Sequence, residues 1–109
     1  SAMEIESALI FDNLSITPDT REVLVSGVSV ELTAKEFDLL YFLAKNRGKV
    51  FTKKQIYRAV WKDEYAFDDN NIMVHIRRLR KKIEPNPEQP QFIQTVWGVG
   101  YKFDGRSII

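Results

Sequence analysis

Residues 77 to 82 read RRLRKK, so that five of six neighbouring side chains are cationic. No acidic residue occurs between Ile72 and Ile83 to balance them. A solvated helix face usually mixes Glu and Lys at i, i+4 spacing, and the opposite charges stabilise each other. Here the cations repel one another unless an external anion neutralises them. The segment therefore predicts a site for a polyanion, with an ordinary basic surface helix as the alternative.

Helical geometry, at about 100° per residue, sorts this stretch into two sides. Ile72, Ile76, Leu79 and Ile83 fall on one side with the spacing of a core-facing stripe. The other side carries Asn70, Asn71, Val74, Arg77, Arg78 and Lys81, flanked by His75 and Lys82 on one edge and by Met73 and Arg80 on the other. Nucleic acid suits this face, because Arg pairs with guanine, Asn with adenine, and an exposed Val with a thymine methyl group.

The first thirty residues predict strands. Four short segments rich in β-branched or apolar residues, "ALIF", "LSIT", "REVLV" and "VSVEL", are separated by the turn signals Asp12-Asn13, Pro18-Asp19 and Ser26-Gly27. We expect a four-stranded antiparallel sheet.

Three helices follow. Two capping boxes, Thr33 to Glu36 and Thr52 to Gln55, open helices that run to about Asn46 and Trp61. The first is apolar on both sides, which predicts that it packs between the sheet and later elements. Asp68 or Asp69 caps the basic helix, which ends before Pro85.

A β-hairpin closes the chain. "QFIQTV" and "YKF" form its strands around Trp97-Gly98-Val99-Gly100, and we attribute both Gly98 and Gly100 to the tight turn. Helix, connector, basic helix and hairpin together describe a helix-turn-helix with a wing, so the fold class is α+β.

Composition narrows the functional classes. The 109 residues suit one domain, and the chain has no Cys, one His and no apolar run near the roughly 20 residues that span a bilayer. Lys and Arg number three against eight Asp and Glu in residues 1–46, a net charge of −5, and thirteen against seven in residues 47–109, a net charge of +6. We expect a cytoplasmic domain at residues 4–109 without a cofactor, preceded at residues 1–3 by the remnant of a cleaved tag.

Catalysis is the least favoured class. Gly-rich phosphate loops are absent, and His75 has no neighbour of metal-ligand type along its helix. Asp68 and Asp69 are explained more simply as a helix cap than as an acid/base pair.

Three segments together resemble the winged-helix effector domain of two-component response regulators of the OmpR/PhoB class. They are "LTAKEFDLL" (residues 32–40), "VHIRRLRKKIEP" (residues 74–85) and "IQTVWGVGYKF" (residues 93–103). The resemblance implies a four-stranded N-terminal sheet, three helices and a C-terminal hairpin wing. It also implies a transcription factor that binds direct repeats of double-stranded DNA and is activated by its own receiver domain and a sensor histidine kinase. A domain of this kind, isolated from its receiver, is expected to be monomeric off DNA.

The resemblance also assigns roles to residues. Asn71, Val74 and Arg78 would read bases in the major groove. Phosphates would be held by Trp61, His75, Arg77, Arg80, Thr95 and Tyr101, and further candidates for DNA contacts are Asn70, Lys81, Lys82 and Trp97. The connector made of Lys62, Asp63, Glu64, Tyr65, Ala66 and Phe67 would touch RNA polymerase, although a plain solvated loop explains it equally well.

The sequence departs from the family pattern at the wing, where Trp97 stands in place of a frequent Arg. An Arg exploits the negative potential of a narrow minor groove, whereas an indole offers one N–H donor and a flat face. Trp97 also supports a second reading, a winged helix that binds protein through its basic face or wing. Structured RNA is a weaker third ligand, because its A-form major groove does not admit a helix.

Overall fold

In the computed structural model, which describes residues 8–62 and 68–105, two small sheets flank three helices. The elements in chain order are β1 (Leu9–Phe11), β2 (Leu14–Thr17), β3 (Glu22–Val25), β4 (Val28–Val30), α1 (Ala34–Lys45), β5 (Phe51–Thr52), α2 (Lys53–Val60), α3 (Asp69–Ile83), β6 (Ile93–Val96) and β7 (Gly100–Phe103). This arrangement confirms the α+β winged helix-turn-helix expected from the sequence. The expected tag remnant at residues 1–3 lies outside the described residues.

The N-terminal sheet is an antiparallel meander in the order β1-β2-β3-β4. Ser26 and Gly27 connect the paired residues Val25 and Val28, and both connecting residues have positive φ, 52° and 80°. Positive φ at both central positions is the requirement of a type I′ turn, whose twist matches that of the flanking strands. The predicted turn signal therefore also fixes the register of this hairpin.

Helix α1 is buried on two sides, as predicted. Phe37, Leu39, Leu40, Leu43 and Ala44 belong to one core cluster that also contains residues of the first sheet and of α3. Thr33 and Glu36 form the predicted capping box, with Glu36 N donating to Thr33 Oγ1 over 3.2 Å and Thr33 N donating to Glu36 Oε1 over 3.0 Å. The helix is thus the central support on which the other elements pack.

The wing is a three-stranded sheet in the order β5-β7-β6, so the predicted hairpin was incomplete. Strand β5 pairs Phe51 with Tyr101 and Thr52 with Gly100. Two residues are too few to show a strand period, and their partners lie in β7, about 50 residues further along the chain. No local pattern in the sequence therefore predicts β5.

Gly100 does not belong to the tight turn, and its predicted role was wrong. The turn consists of residues 97–99, where Gly98 has φ +81° and Val99 N donates to Val96 O over 2.9 Å. Gly100 opens β7, and a Cβ atom there would overlap the carbonyl oxygen of Phe51 and lie 2.9 Å from Thr52 Cα. Its missing side chain is what lets β5 approach the wing hairpin.

No helix within residues 8–62 and 68–105 is long and apolar enough to cross a membrane. The same ranges contain no group of three or more His, Cys, Asp or Glu side chains that could hold a metal ion.

Candidate nucleic-acid interface

Helix α3 is anchored by the stripe that the sequence predicts. Ile72, Ile76, Leu79 and Ile83 are each 1% exposed or less. Asp68 caps the helix by accepting from Asn70 N over 3.0 Å, and Asp69 places a second negative charge in the first turn, where the helix dipole favours it. The burial of one side fixes the rotation of α3, so its other side must face the solvent.

The solvent face of α3 combines cations with apolar side chains. Arg77, Arg78 and Lys81 are exposed, and Met73 and Val74 expose 41% and 37% of their surface beside them. The face also carries Asn70, which is exposed, and Asn71, which is partly buried. The three residues predicted to read bases therefore lie on the same accessible side of α3. They are Asn71, Val74 and Arg78.

Trp61 and His75 form one aromatic cluster at the junction of α2 and α3. The Trp61 ring stacks parallel to Tyr57 at 5.1 Å between centroids, and His75 meets it edge-on at 5.0 Å. Lys35 donates to Val60 O over 3.1 Å, with its Nζ 5.9 Å from the centre of the Trp61 ring. This packing places Trp61 and His75, two of the residues predicted to bind phosphate, side by side.

The protonation of His75 is constrained by a backbone group. His75 Nδ1 lies 2.8 Å from Asn71 O, and because a carbonyl oxygen can only accept, Nδ1 must carry a proton. In the neutral ring, Nε2 is then an acceptor and repels a phosphate oxygen. Nδ1 is thus used within α3, and Nε2 is the ring nitrogen that remains for a ligand.

Lys82 is turned away from the solvent face of α3 toward α1. Its Nζ donates to Glu36 Oε1 over 2.7 Å, and the Glu36 side chain is 2% exposed. Burial raises the pKa of Glu36, but the hydrogen bonds from Lys82 and from Thr33 N outweigh it, so that the pKa lies below its ordinary value. This ion pair ties the end of the basic helix to the beginning of α1.

The lowered pKa of Glu36 makes part of the stability depend on pH. Because the folded-state pKa is below the unfolded one, the stabilisation is complete above the unfolded pKa of about 4.3 and is lost as the pH falls through the folded pKa. Glu36→Gln should lower the free energy of unfolding by about 1–2 kcal/mol at neutral pH, a range limited by the partial exposure of Lys82. Urea unfolding of both proteins should show this difference shrinking below about pH 4. A constant difference from pH 7 to pH 3 would contradict the ionic role.

The wing is fastened to the last turn of α3 at Ile93. The Ile93 N–H donates to Glu84 Oε2 over 2.8 Å, and its carbonyl oxygen accepts from Arg80 Nε and Nη2 at 3.1 and 2.9 Å. Glu84 also accepts from the backbone N–H groups of Gln91 and Phe92 at 2.7 and 3.0 Å. Both backbone groups of the first wing residue are thereby held by side chains near the end of α3.

Arg80 joins three groups of the wing. Besides Ile93 O it donates to Thr95 Oγ1 over 2.8 Å, and its guanidinium lies 5.8 Å from the centre of the Tyr101 ring. Burial lowers the pKa of Arg80, while Tyr101 and Glu84 act in the opposite direction, and an Arg side chain remains cationic throughout. The structure thus brings together three of the predicted phosphate contacts, Arg80, Thr95 and Tyr101.

A groove of about 650 Å³ separates α3 from the wing. Thr95, Tyr101 and Arg80 line it, and Lys53 and Lys54 stand beside them at the N-terminus of α2. Trp97 lies at its outer rim and is 89% exposed, which leaves the indole free to contact another molecule. A ligand in this groove would contact both α3 and the wing.

Sequence reasoning missed the roles of Glu84, Lys53 and Lys54, and it assigned Glu36 to a capping box without its ion pair with Lys82. Glu84 stands in the quoted segment "VHIRRLRKKIEP", where an acid two residues after the last of five cations is a signal that could have marked it. Lys53 and Lys54 occupy the first turn of a predicted helix, but nothing local shows that the wing would lie opposite them. Of the predicted polymerase connector only Lys62 is described, exposed and with φ +61°, while residues 63–67 lie outside the described ranges.

Comparisons with known proteins agree with this geometry. The family model "Transcriptional regulatory protein, C terminal" matches residues 27–103. The transcriptional regulatory protein YcbL of Bacillus subtilis is 49% identical over 98 residues, which cover 90% of this chain and 43% of that relative. The chain therefore spans less than half the length of this relative.

Two solved structures resemble the fold closely. The Thermotoga maritima response regulator DrrB, an OmpR/PhoB homolog, superposes with a TM-score of 0.85 at 37% identity over 92% of this chain and 45% of its own. The DNA-binding domain of Klebsiella pneumoniae RstA, solved in complex with the RstA box, gives 0.82 at 32% identity over 91% of this chain and 98% of its own. The chain belongs to the family of C-terminal DNA-binding effector domains of transcriptional regulatory proteins, in the OmpR/PhoB class of winged helices.

Proposed function

We propose that this domain binds specific sequences in double-stranded DNA by inserting the solvent face of α3 into the major groove. The observation that carries the proposal is Val74, which is 37% exposed among Arg77, Arg78 and Lys81. An apolar side chain on a cationic face is unfavourable in water, but it complements the apolar and polar edges of bases in a groove. The buried stripe beneath it holds the face in one orientation.

Within this proposal the side chains divide by role. Arg78, Val74 and Asn71 read base edges, while Asn70 and Lys81 lie close enough on the same face to assist them. Trp61, His75 and Arg77 hold phosphates on one side of the major groove. Thr95 and Tyr101 hold the strand that passes between helix and wing.

The wider system follows from the family and remains part of the proposal. A receiver domain and its histidine kinase would control the domain, which would regulate transcription in the cytoplasm without catalysing a reaction. Direct repeats in the DNA would align two copies that are monomeric in its absence. The connector at residues 62–67 would contact RNA polymerase.

Selection from a random pool of duplex DNA with the purified chain tests the function directly. We expect enrichment of one motif, recovered as a direct repeat. If about five cationic side chains touch phosphate, the logarithm of the binding constant should fall with the logarithm of salt concentration at a slope of roughly −4 to −5. A slope near zero, or no enriched motif, would contradict the proposal.

The 89% exposure of Trp97 supports a second candidate, recognition of a protein through the wing. A large exposed aromatic side chain often anchors a protein interface. The same selection separates the two, because a protein-binding domain would bind duplexes weakly and without preference among sequences.

A further inference from the structure

Met73 is the most exposed large apolar side chain of α3. It exposes 41% of its surface, against 37% for Val74, and it is the fifth residue of a helix that begins at Asp69. Its side chain lines the groove between α3 and the wing, and it also lines a smaller opening of about 330 Å³ with Pro87 and Tyr101. Met73 therefore stands at the edge of the solvent face that is turned toward the wing.

The helical period gives Met73 polar neighbours on the surface of α3. Asn70 lies three residues before Met73 and Arg77 lies four residues after it, and these are the spacings of neighbours on a helix surface. The same two residues lie four before and three after Val74, so the two apolar side chains share both polar neighbours. Exposed apolar surface is unfavourable in water by about 25 cal/mol for each Å². A ligand that covers both side chains would remove this cost.

The chemistry of Met73 decides which part of a DNA duplex it can contact. A thioether sulfur is a weak hydrogen-bond acceptor without a proton to donate, so Met73 cannot hold a phosphate oxygen. In helix-turn-helix proteins the N-terminal residues of the second helix reach the base edges, and Met73 lies at the start of the second turn of α3. Thymine is the base that presents a methyl group in the major groove.

We propose that Met73 reads the C5-methyl group of a thymine in the major groove, on the side of α3 that faces the wing. This inference rests on the proposed function and adds a fourth base-reading residue to Asn71, Val74 and Arg78. Because successive residues of a helix differ in direction by about 100°, the thymine that Met73 contacts is not the one that Val74 would contact. The unbranched, flexible side chain of Met73 can adapt its shape to the methyl group.

Replacement of thymidine by deoxyuridine tests this contact, because it removes the methyl group and keeps the hydrogen-bonding edge of the base. Each thymidine is replaced in turn in a duplex that the wild-type chain enriches from the random pool. Titration then measures the affinity of the wild-type chain and of Met73→Ala. For the wild-type chain, we expect the replacement opposite Met73 to lower affinity about threefold to fivefold, the effect of one buried methyl group. Met73→Ala should bind the unsubstituted duplex at least that much more weakly and should be insensitive to the same replacement.

Other variants separate base reading from a general effect on α3. Val74→Ala removes the neighbouring apolar side chain and should leave the sensitivity at the thymine opposite Met73 unchanged. Met73→Leu keeps an apolar side chain of similar volume and should retain this sensitivity, whereas Met73→Gln is polar and should lose it. Because Met73 is exposed, thermal unfolding should differ little between the wild-type chain and the Met73 variants.

The proposal is overturned if Met73→Ala keeps the wild-type sensitivity to deoxyuridine at every position, or if no replacement affects the wild-type chain. Equal losses of affinity for Met73→Ala on the selected duplex and on a scrambled one would also overturn it, because a contact with the DNA backbone carries no sequence information. In these cases the enriched motif still supports the proposed function. If the wild-type chain enriches no motif, the proposed function fails and this inference with it.

Discussion

Replacing Arg78 with alanine should abolish most of the preference of this domain for its selected duplex. Arg78 is exposed on the face of α3 opposite the buried stripe, next to Val74. If its planar guanidinium pairs with the two acceptors of a guanine, its loss should cost about 1–3 kcal/mol on the selected duplex and less on a scrambled one. Titration of both duplexes at one salt concentration measures the difference.

Arg77→Ala is the matched control, because the two arginines are neighbours with equal charge. Arg77 is proposed to contact phosphate, so its loss should weaken selected and scrambled duplexes alike. Equal losses on both duplexes for Arg78→Ala would refute its role as a reader of bases. The outcome would then shift the search for specificity to Asn71 and Val74.

Glu84→Ala should cause a large loss of stability for the removal of one polar side chain. The carboxylate is buried, with the residue 6% exposed, and accepts from the backbone N–H groups of Gln91, Phe92 and Ile93. Without it these donors lose a charged acceptor at the root of the wing. We expect a decrease of about 3–5 kcal/mol in the free energy of unfolding, since hydrogen bonds to charged groups are strong and buried donors are costly to leave unpaired.

Chemical denaturation measures this loss, and Glu88→Ala serves as its control. Glu88 is an exposed acid in the same loop, so its replacement removes the same charge from the surface and should change stability by about 0.5 kcal/mol or less. A similar small change for Glu84→Ala would show that the loop finds other acceptors. Loss of folded protein for Glu84→Ala alone would agree with the expected role.

The elements that the sequence predicted well are those whose signals are local. Both capping boxes formed as expected, and the second joins Gln55 N to Thr52 Oγ1 over 3.1 Å. The stripe on α3 also needs only the helical period, so the side that faces solvent followed from the order of residues. For this reason the candidate interface could be named in advance, although the bases and phosphates it contacts remain proposals.

The sequence by itself determined the helices, the first sheet, the stripe and the cationic face, because caps, turns and periods act over a few residues. The tertiary structure decided which cations of α3 have partners within the fold. In the sequence, Lys82 and Arg80 are both cations at the edges of the solvent face. In the structure, Lys82 pairs with Glu36, which is 46 residues away, and Arg80 donates to Ile93 and Thr95. It likewise decided that Gly100 makes room for Phe51, since only folding brings β5 beside β7. Residues so far apart along the chain produce no periodic pattern in the sequence. Which of them come into contact depends on how the helices and strands pack against one another.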